Sequence, residues 1–181
     1  MVSIEEPWYK KEDGLCFSCT MCGNCCSGSP GSVRFTESEA EIMAAKLDVS
    51  TSYFYEKYAR REVEGEFSWL ELKEVPTPAV EHPDGLTIQS GLDCIFLDRD
   101  AIPGKAVCSL YDARPLQCRS WPFWSEILES EDDWIKASQG AEGCPGLGKG
   151  VKYSVDEIQE SIRVTEEYRD ELDEELAAQN R

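Results

Sequence analysis

The chain has 181 residues, enough for one domain with a real core, and its 36 acidic against 18 basic residues give a formal net charge of −18. This balance argues against nucleic-acid binding, because phosphate-binding surfaces need clustered Lys and Arg. No apolar run approaches the roughly 18 residues that a membrane span needs, and the first residues lack the basic start and apolar stretch of a signal peptide. We therefore expect a cytoplasmic protein with neither a nucleic-acid nor a membrane partner.

Five of the nine cysteines fall within eleven residues, spaced CxxCxxCxxCC from Cys16 to Cys26. Steps of three place thiols on one side of a tight turn, and in a chain without an export signal this pattern predicts metal ligation rather than disulfides. The adjacent side chains of Cys25 and Cys26 are expected to diverge, which favours two neighbouring metal centres or a multinuclear one. The sequence has one histidine, His82, which excludes zinc sites with two or three His. It precedes a turn sequence and is expected to be an exposed loop residue.

Two helices are predicted after a loop at 27–32. Thr36 and Glu39 have the spacing of a capping box, and the helix behind them should leave its glutamates at 37, 39 and 41 facing outward. Ser50 or the next residue should cap a second helix. Its aromatic side, which includes Phe54, is predicted to be core.

Strands are predicted over 67–75, 86–88, 94–97 and 105–108. If the loop between the last two is centred on Ala101, Cys94 faces Cys108. Directly opposed residues on paired strands have Cβ atoms about 4.5–5.5 Å apart. The two later thiols would then be within reach of a shared ion.

The segment 111–123 contains two prolines and is predicted to be irregular. Arg114 and Arg119 flank Cys118 there. They could lower thiol pKa values and offset the charge of a bound centre, or pair with some of the many carboxylates. Cys144 lies in a glycine-rich loop at 142–150, whose glycines would let the backbone wrap closely around a bound group.

The predicted fold class is α+β: a small, irregular, cysteine-rich metal-binding domain with short strands, a few helices and a long C-terminal helix. Residues 1–14 are expected to form an N-terminal arm and residues 15–150 the metal-binding domain. Residues 151–181 are expected to form an acidic helix packed on that same domain, because its apolar stripe is narrow and the rest is strongly charged.

An ordered set of motifs resembles a known family. The motifs are Phe17-x-Cys19-x-x-Cys22-Gly23-x-Cys25-Cys26, Cys94-x-Phe96-Leu97, Cys108-x-x-Tyr111-x-x-Arg114-Pro115-x-x-Cys118-Arg119-x-x-Pro122-Phe123, and Cys144 with its glycines. Together they resemble the YkgJ-type cysteine-cluster family, a zinc- or iron-chelating domain, and more distantly the flagellin lysine N-methylases. The resemblance covers about residues 15 to 150. It implies eight metal ligands, Cys19, Cys22, Cys25, Cys26, Cys94, Cys108, Cys118 and Cys144, and leaves Cys16 as a spare thiol.

The resulting prediction is a cytoplasmic metal-chelating protein with a redox or maturation role. All-sulfur sites suit zinc, a soft copper site or iron–sulfur clusters, and here an iron–sulfur cluster is favoured over zinc because eight thiolates make a soft site. Arg114 and Arg119 are the residues expected to interact with that cofactor. The alternatives are a group-transfer enzyme related to the lysine methylases and an interaction module that zinc holds together. The sequence does not identify a protein partner.

Overall fold

The computed structural model describes residues 6–65, 67–77, 80–81, 87–88, 91–140 and 142–179. It confirms the α+β class, with short antiparallel strands, several helices and a long C-terminal helix. His82 lies outside the described residues. Among the described helices, none combines the length and the apolar character needed to cross a bilayer.

Eleven strands are defined in the described part of the chain, most of them two or three residues long. They are β1 (Leu15–Phe17), β2 (Ser27–Gly28), β3 (Ala59–Glu64), β4 (Phe67–Leu72), β5 (Glu74–Pro76), β6 (Val80–Glu81), β7 (Thr87–Ile88), β8 (Leu92–Cys94), β9 (Leu97–Asp98), β10 (Val107–Cys108) and β11 (Val151–Tyr153). The α-helices are α1 (Glu37–Lys46), α2 (Thr51–Tyr58), α3 (Leu116–Arg119), α4 (Ser125–Leu128), α5 (Glu131–Ser138) and α6 (Val155–Gln179).

Packing divides the chain into two compact units. Unit 1 comprises Met1–Thr20 and Ser120–Tyr168, and unit 2 comprises Met21–Arg119 and Arg169–Arg181. The predicted boundaries after residues 14 and 150 stay a prediction.

Unit 1 is built on the antiparallel pair of β1 and β11, in which Leu15 lies opposite Tyr153. Its core combines three aromatic side chains with four aliphatic ones. The buried residues are Tyr9, Leu15, Phe123, Leu128, Trp134, Leu147 and Ile158. Tyr9, expected in a peripheral arm, is therefore part of this core.

The core of unit 2 lies behind α1 and α2. Both predicted helices are confirmed, and Thr36 caps α1 through the full capping box. The expectation that Glu39 faces outward is wrong, since Glu39 is only 7% exposed. The buried residues of this core are Phe35, Ala40, Met43, Ala44, Phe54, Ala59, Leu72, Phe96, Leu110 and Ala113.

The sheets of unit 2 correct the predicted cysteine pairing. The strand predicted over 94–97 is split, because β8 ends at Cys94 and β9 begins at Leu97. In the ladder of β9 and β10, Cys108 lies opposite Leu97, so the expected opposition of Cys94 and Cys108 is wrong. The physical reason is a turn between the strands, held where Ile95 N–H donates to the carbonyl of Lys73 at 3.0 Å.

Candidate metal centre

A tight turn at residues 21–26 presents the first cysteines of unit 2. Met21 and Gly23 both have left-handed backbones, with φ of 57° and 82°, and the N–H of Cys26 donates to the Gly23 carbonyl at 2.8 Å. Ala106 N–H donates to the Met21 carbonyl at 2.8 Å. A Cβ at position 23 would lie 2.7 Å from the Ala106 Cβ. Glycine at 23 therefore lets this turn dock against the strand that carries Cys108.

The three-stranded sheet β2-β8-β5 brings two further thiols together. Ser27 and Val75 both lie opposite Asp93, from the two sides of β8. If the register of β2 and β8 is continued by one residue, Cys26 lies opposite Cys94. On the other side of β8, Glu74 of β5 lies opposite Cys94. Side chains of opposed residues share one face of a sheet. This face therefore carries two thiols and a carboxylate.

Cys25 and Cys26 do not diverge as expected, because their Sγ atoms lie 3.5 Å apart. The short 3₁₀ turn Asn24–Cys26 curls the backbone so that the adjacent side chains converge. The hydrogen bond from the Cys26 thiol, helped by the charge of Arg114, lowers the pKa of Cys25 from 9.0 to about 7. Donating that bond, together with burial, raises the pKa of Cys26. One thiol of the pair thus ionises readily while the other holds its proton.

Two more thiols, those of Cys94 and Cys118, act electrostatically on Cys26, and the thiol of Cys108 acts on both of them. Burial, and then the nearby negative charges of Cys108, Glu74 and Cys25, raise the pKa of Cys94 to about 11. Burial also raises the pKa of Cys118, as do the charges of three neighbouring thiols. We call this set the thiol cluster: Cys25, Cys26, Cys94, Cys108 and Cys118. Mutual repulsion that disfavours ionisation is relieved when a cation binds, so the cluster is a site for positive charge.

The two predicted arginines behave differently. Arg114 acts on the cluster, since its charge opposes the rise in the pKa of Cys118 that burial causes. Its guanidinium is held 3.8 Å over the Tyr111 ring and donates to the Tyr111 carbonyl at 2.8 Å. Arg119 lies 3.7 Å from a carboxylate oxygen of Glu39. Each of the two alternatives left open by the sequence therefore holds for one arginine.

Glu39 is a positioning residue that sequence reasoning missed. Its carboxylate accepts from the N–H of Thr36 at 3.1 Å within the capping box and from the N–H of Leu116 at 2.6 Å. Leu116 begins α3, the helix that carries Cys118. The same side chain thus caps the start of α1 and binds the start of α3. Only its capping role is visible in the sequence.

The ion pair of Asp93 and Arg99 was also missed. Arg99 donates to both carboxylate oxygens of Asp93 at 2.8 Å, and Thr77 adds a third hydrogen bond at 2.9 Å. Asp93 raises the pKa of Arg99, and the charge of Cys26 contributes in the same direction. Arg99 therefore supplies a second positive charge that the thiol cluster senses. No local sequence pattern predicts this ion pair, because the turn between β8 and β9 is what brings Arg99 close to Asp93.

The remaining cysteines lie in different settings. Cys22, also in unit 2, is half-buried in the 21–26 turn. In unit 1, Cys16 is on β1 opposite Lys152, and Cys19 is exposed. Cys144 packs beside the aromatic core, and its N–H donates to the carbonyl of Ala137 at 2.7 Å.

In the 142–150 loop, glycine allows the backbone to lie close to the segment around Ser18. Ser18 N–H donates to the Gly146 carbonyl at 3.3 Å, so the chain before Cys19 runs beside the chain after Cys144. A Cβ at 146 would lie 2.2 Å from the Ser18 carbonyl oxygen. Gly146 thus lets the backbone pass close to Ser18, and the expected wrapping of this loop around a group bound by Cys144 stays a prediction.

The donor set of the thiol cluster fits a soft cation. With Zn–S bonds of about 2.3 Å, two thiolates on a tetrahedral zinc lie about 3.8 Å apart, close to the 3.5 Å of Cys25 and Cys26. In the part of the chain that the structure describes, no three Cys, His, Asp or Glu side chains already converge as the ligands of one ion. Cys25 and Cys26 are in contact, whereas Cys94 and Cys118 act on Cys26 through their charge.

The site defines a class, that of proteins which bind metal through clustered cysteine thiols. The model of the CxxCxxCC family, described as a "putative zinc- or iron-chelating domain", matches residues 18–145, and the chain belongs to this family. No solved structure matches the chain. The predicted resemblance to a cysteine-cluster chelating family is thereby confirmed.

Proposed function

We propose that the protein chelates an iron–sulfur cluster or zinc through up to eight thiolates in the cytoplasm, where thiols stay reduced. The observation that carries the proposal is the thiol cluster, whose members perturb one another's pKa values across four separate segments of unit 2. Cys19, Cys22 and Cys144 stay predicted ligands on the family pattern. A redox or maturation role would follow from an iron–sulfur centre.

Iron–sulfur ligation is favoured over zinc by the number of donors and the surrounding charge. A closed structural zinc site uses four ligands, whereas the thiol cluster alone has five. Arg114 and Arg99 place positive charge within reach of these thiols. Such charges offset the negative charge of a thiolate-bound cluster and tune its potential. Zinc does not require them.

Purification under anaerobic conditions with iron supplied tests the proposal. We expect brown protein that contains acid-labile sulfide and absorbs broadly near roughly 400 nm, as thiolate-bound iron–sulfur centres do. Colourless protein with about two zinc ions per chain would overturn the iron proposal and keep the chelating function. Protein that binds neither metal would overturn both.

Single substitutions test the ligand set. Cys118→Ser should lose metal, because it removes a half-buried member of the thiol cluster. The matched control is Cys16→Ser, which removes a thiol of β1 that lies outside the family pattern. Equal metal loss in the two variants would contradict the assignment.

The group-transfer alternative stays a prediction and has a direct test. Calorimetric titration with S-adenosylmethionine would detect the cofactor of a methyl transfer. Binding at micromolar concentration would favour that alternative over a purely chelating protein.

A further inference from the structure

A small cavity opens beside the thiol cluster in unit 2. It has a volume of about 90 Å³ and is lined by three thiols of the cluster, those of Cys25, Cys26 and Cys94. One water needs about 10–15 Å³ by the same measure, so the cavity has room for several. Its rim includes Ser29 and Gly31, which are exposed.

The cavity also holds one carboxylate, that of Glu74. One of its oxygens accepts from Gly31 N–H at 3.0 Å and the other from Arg60 at 3.2 Å. Each carboxylate oxygen has two acceptor sites, so both oxygens can still bind a cation. Glu74 directly faces Cys94 across the β5–β8 ladder, and its charge contributes to the raised pKa of that thiol.

This arrangement places a hard oxygen donor and three soft sulfur donors around one opening. Cys25 is exposed, whereas Cys94 is half-buried and packs against the core of unit 2. A hydrated divalent cation is attracted by a carboxylate in an acidic protein and exchanges water for oxygen ligands first. Thiolates then hold zinc or ferrous iron more strongly than the carboxylate does.

We propose that this cavity is the route by which metal ions reach and leave the thiol cluster, with Glu74 as a transient oxygen ligand. The proposal rests on the chelating function and deepens it, because it makes the bound ion exchangeable. The incoming hydrated ion gives up a water to Glu74. It then gives up further waters as each sulfur binds it, and each thiol that is still protonated releases its proton to solvent. Removal by a chelator follows the same steps in reverse.

Narrowing the cavity tests the route. A Cβ built at Gly31 lies 3.5 Å from a Glu74 carboxylate oxygen, an ordinary contact, so Gly31→Leu directs bulk across the opening without backbone strain. We expect a zinc chelator to extract the metal about tenfold more slowly, a barrier increase of about 1.4 kcal/mol. Equilibrium affinity should be unchanged. The control Ser52→Leu adds the same side chain at an exposed position of α2 and should leave the extraction rate unchanged.

A charge variant tests the role of Glu74. Glu74→Gln keeps an acceptor for the Gly31 N–H but removes the negative charge, and stopped-flow zinc loading should slow several-fold, up to about tenfold. The control is Glu62→Gln, since Glu62 also pairs with Arg60, at 3.1 Å, and does not line the cavity. Wild-type loading in Glu74→Gln and wild-type extraction in Gly31→Leu would overturn the inference. A wild-type protein that binds no zinc or iron would instead overturn the proposed function.

Discussion

The two units differ in the side chains that surround their hydrophobic cores. In unit 1 the rings of Phe123 and Trp134 stack at 6.3 Å, and Tyr153 meets Phe123 edge-on at 4.9 Å. In unit 2 an aromatic core is bordered by thiols, because Cys94 and Cys108 pack directly against it. Unit 1 therefore has one candidate ligand, Cys144, against its core, whereas unit 2 has two members of the thiol cluster at the edge of its own.

This difference indicates where metal contributes to folding. The strands that carry Cys94 and Cys108 have three and two residues, and strands of that length are weakly stable alone. The thiol cluster also holds three thiols, those of Cys26, Cys94 and Cys118, whose charged forms are disfavoured by burial and by neighbouring thiolates. A bound cation would relieve that repulsion and join four chain segments. Unit 2 should thus depend on metal more strongly than unit 1, whose candidate ligands are Cys19 and Cys144.

Metal removal has the largest expected effect and tests this comparison directly. For structural zinc peptides the binding free energy is about 10–16 kcal/mol, and for chains of this size each kcal/mol shifts the melting temperature by about 2–4 °C. Chelated protein should melt at least about 10 °C lower. Hydrogen exchange should accelerate in residues 21–35 and 91–119 and stay slow in residues 131–138 and 155–165. Uniform acceleration across both units would contradict a metal dependence concentrated in unit 2.

Core truncations come next and can separate the units. Phe54, fully buried in unit 2, and Trp134, 7% exposed in unit 1, are both large aromatic residues. Replacing either by Ala should cost about 3–5 kcal/mol of unfolding free energy. Phe54→Ala should weaken metal binding more than Trp134→Ala does, because Phe54 supports Phe96 and the core against which Cys94 packs, whereas Cys144 alone packs against the core that contains Trp134. Equal metal affinity in the two variants would show that the thiols do not depend on that core.

The reactivity of Cys25 sharpens the description of unit 2. Its pKa of about 7 lies below the ordinary 9.0, chiefly because Cys26 donates a hydrogen bond to it. At pH 7 its thiolate fraction is then about fiftyfold that of an ordinary thiol. In metal-free protein, iodoacetamide should label Cys25 before Cys94, whose pKa is raised to about 11.

The sign of the pH dependence follows from the same shift. Because the folded pKa of Cys25 is below the unfolded one, its contribution to stability is complete above about pH 9 and is lost as pH falls through about 7. Labelling of Cys25, measured by mass spectrometry, should fall with a midpoint near pH 7. The variant Arg114→Gln should move that midpoint upward, and an unmoved midpoint would exclude a role for Arg114.

The parts of this site that sequence could predict are local ones. The capping box of α1 and the cap of α2 depend on residues three apart, and both are confirmed. The facing of Cys26 and Cys94 depends on the pairing of β2 with β8, strands too short to carry a readable alternation. The contact of Glu39 with the start of α3 joins residues 77 apart, so no local pattern encodes it. The strand register and the long-range hydrogen bond were therefore missed for the same reason, which is that both join residues far apart in the sequence.

The smallest expected effect compares two helix caps, one in each unit. Thr36 caps α1 in unit 2 and is buried, and Ser154 caps α6 in unit 1 and is exposed. Replacing a capping Ser or Thr by Ala typically costs about 1 kcal/mol, within a range of about 0.5–2. Ser154→Ala should lie at the low end, because water can replace the lost hydrogen bond.

Thr36→Ala should lie at the high end, because the hydroxyl that it removes accepts from the buried N–H of Glu39 at 3.3 Å. The substitution should also loosen the Glu39 side chain at the start of α1. The carboxylate of Glu39 accepts from the N–H of Leu116, at the start of the helix that carries Cys118. The variant should therefore lower metal affinity as well as stability, whereas Ser154→Ala should lower stability alone. Chemical denaturation with metal saturated, beside a zinc competition titration, separates the two effects. If both caps cost the same and neither changes metal affinity, Glu39 does not position Cys118, and its buried carboxylate serves only α1.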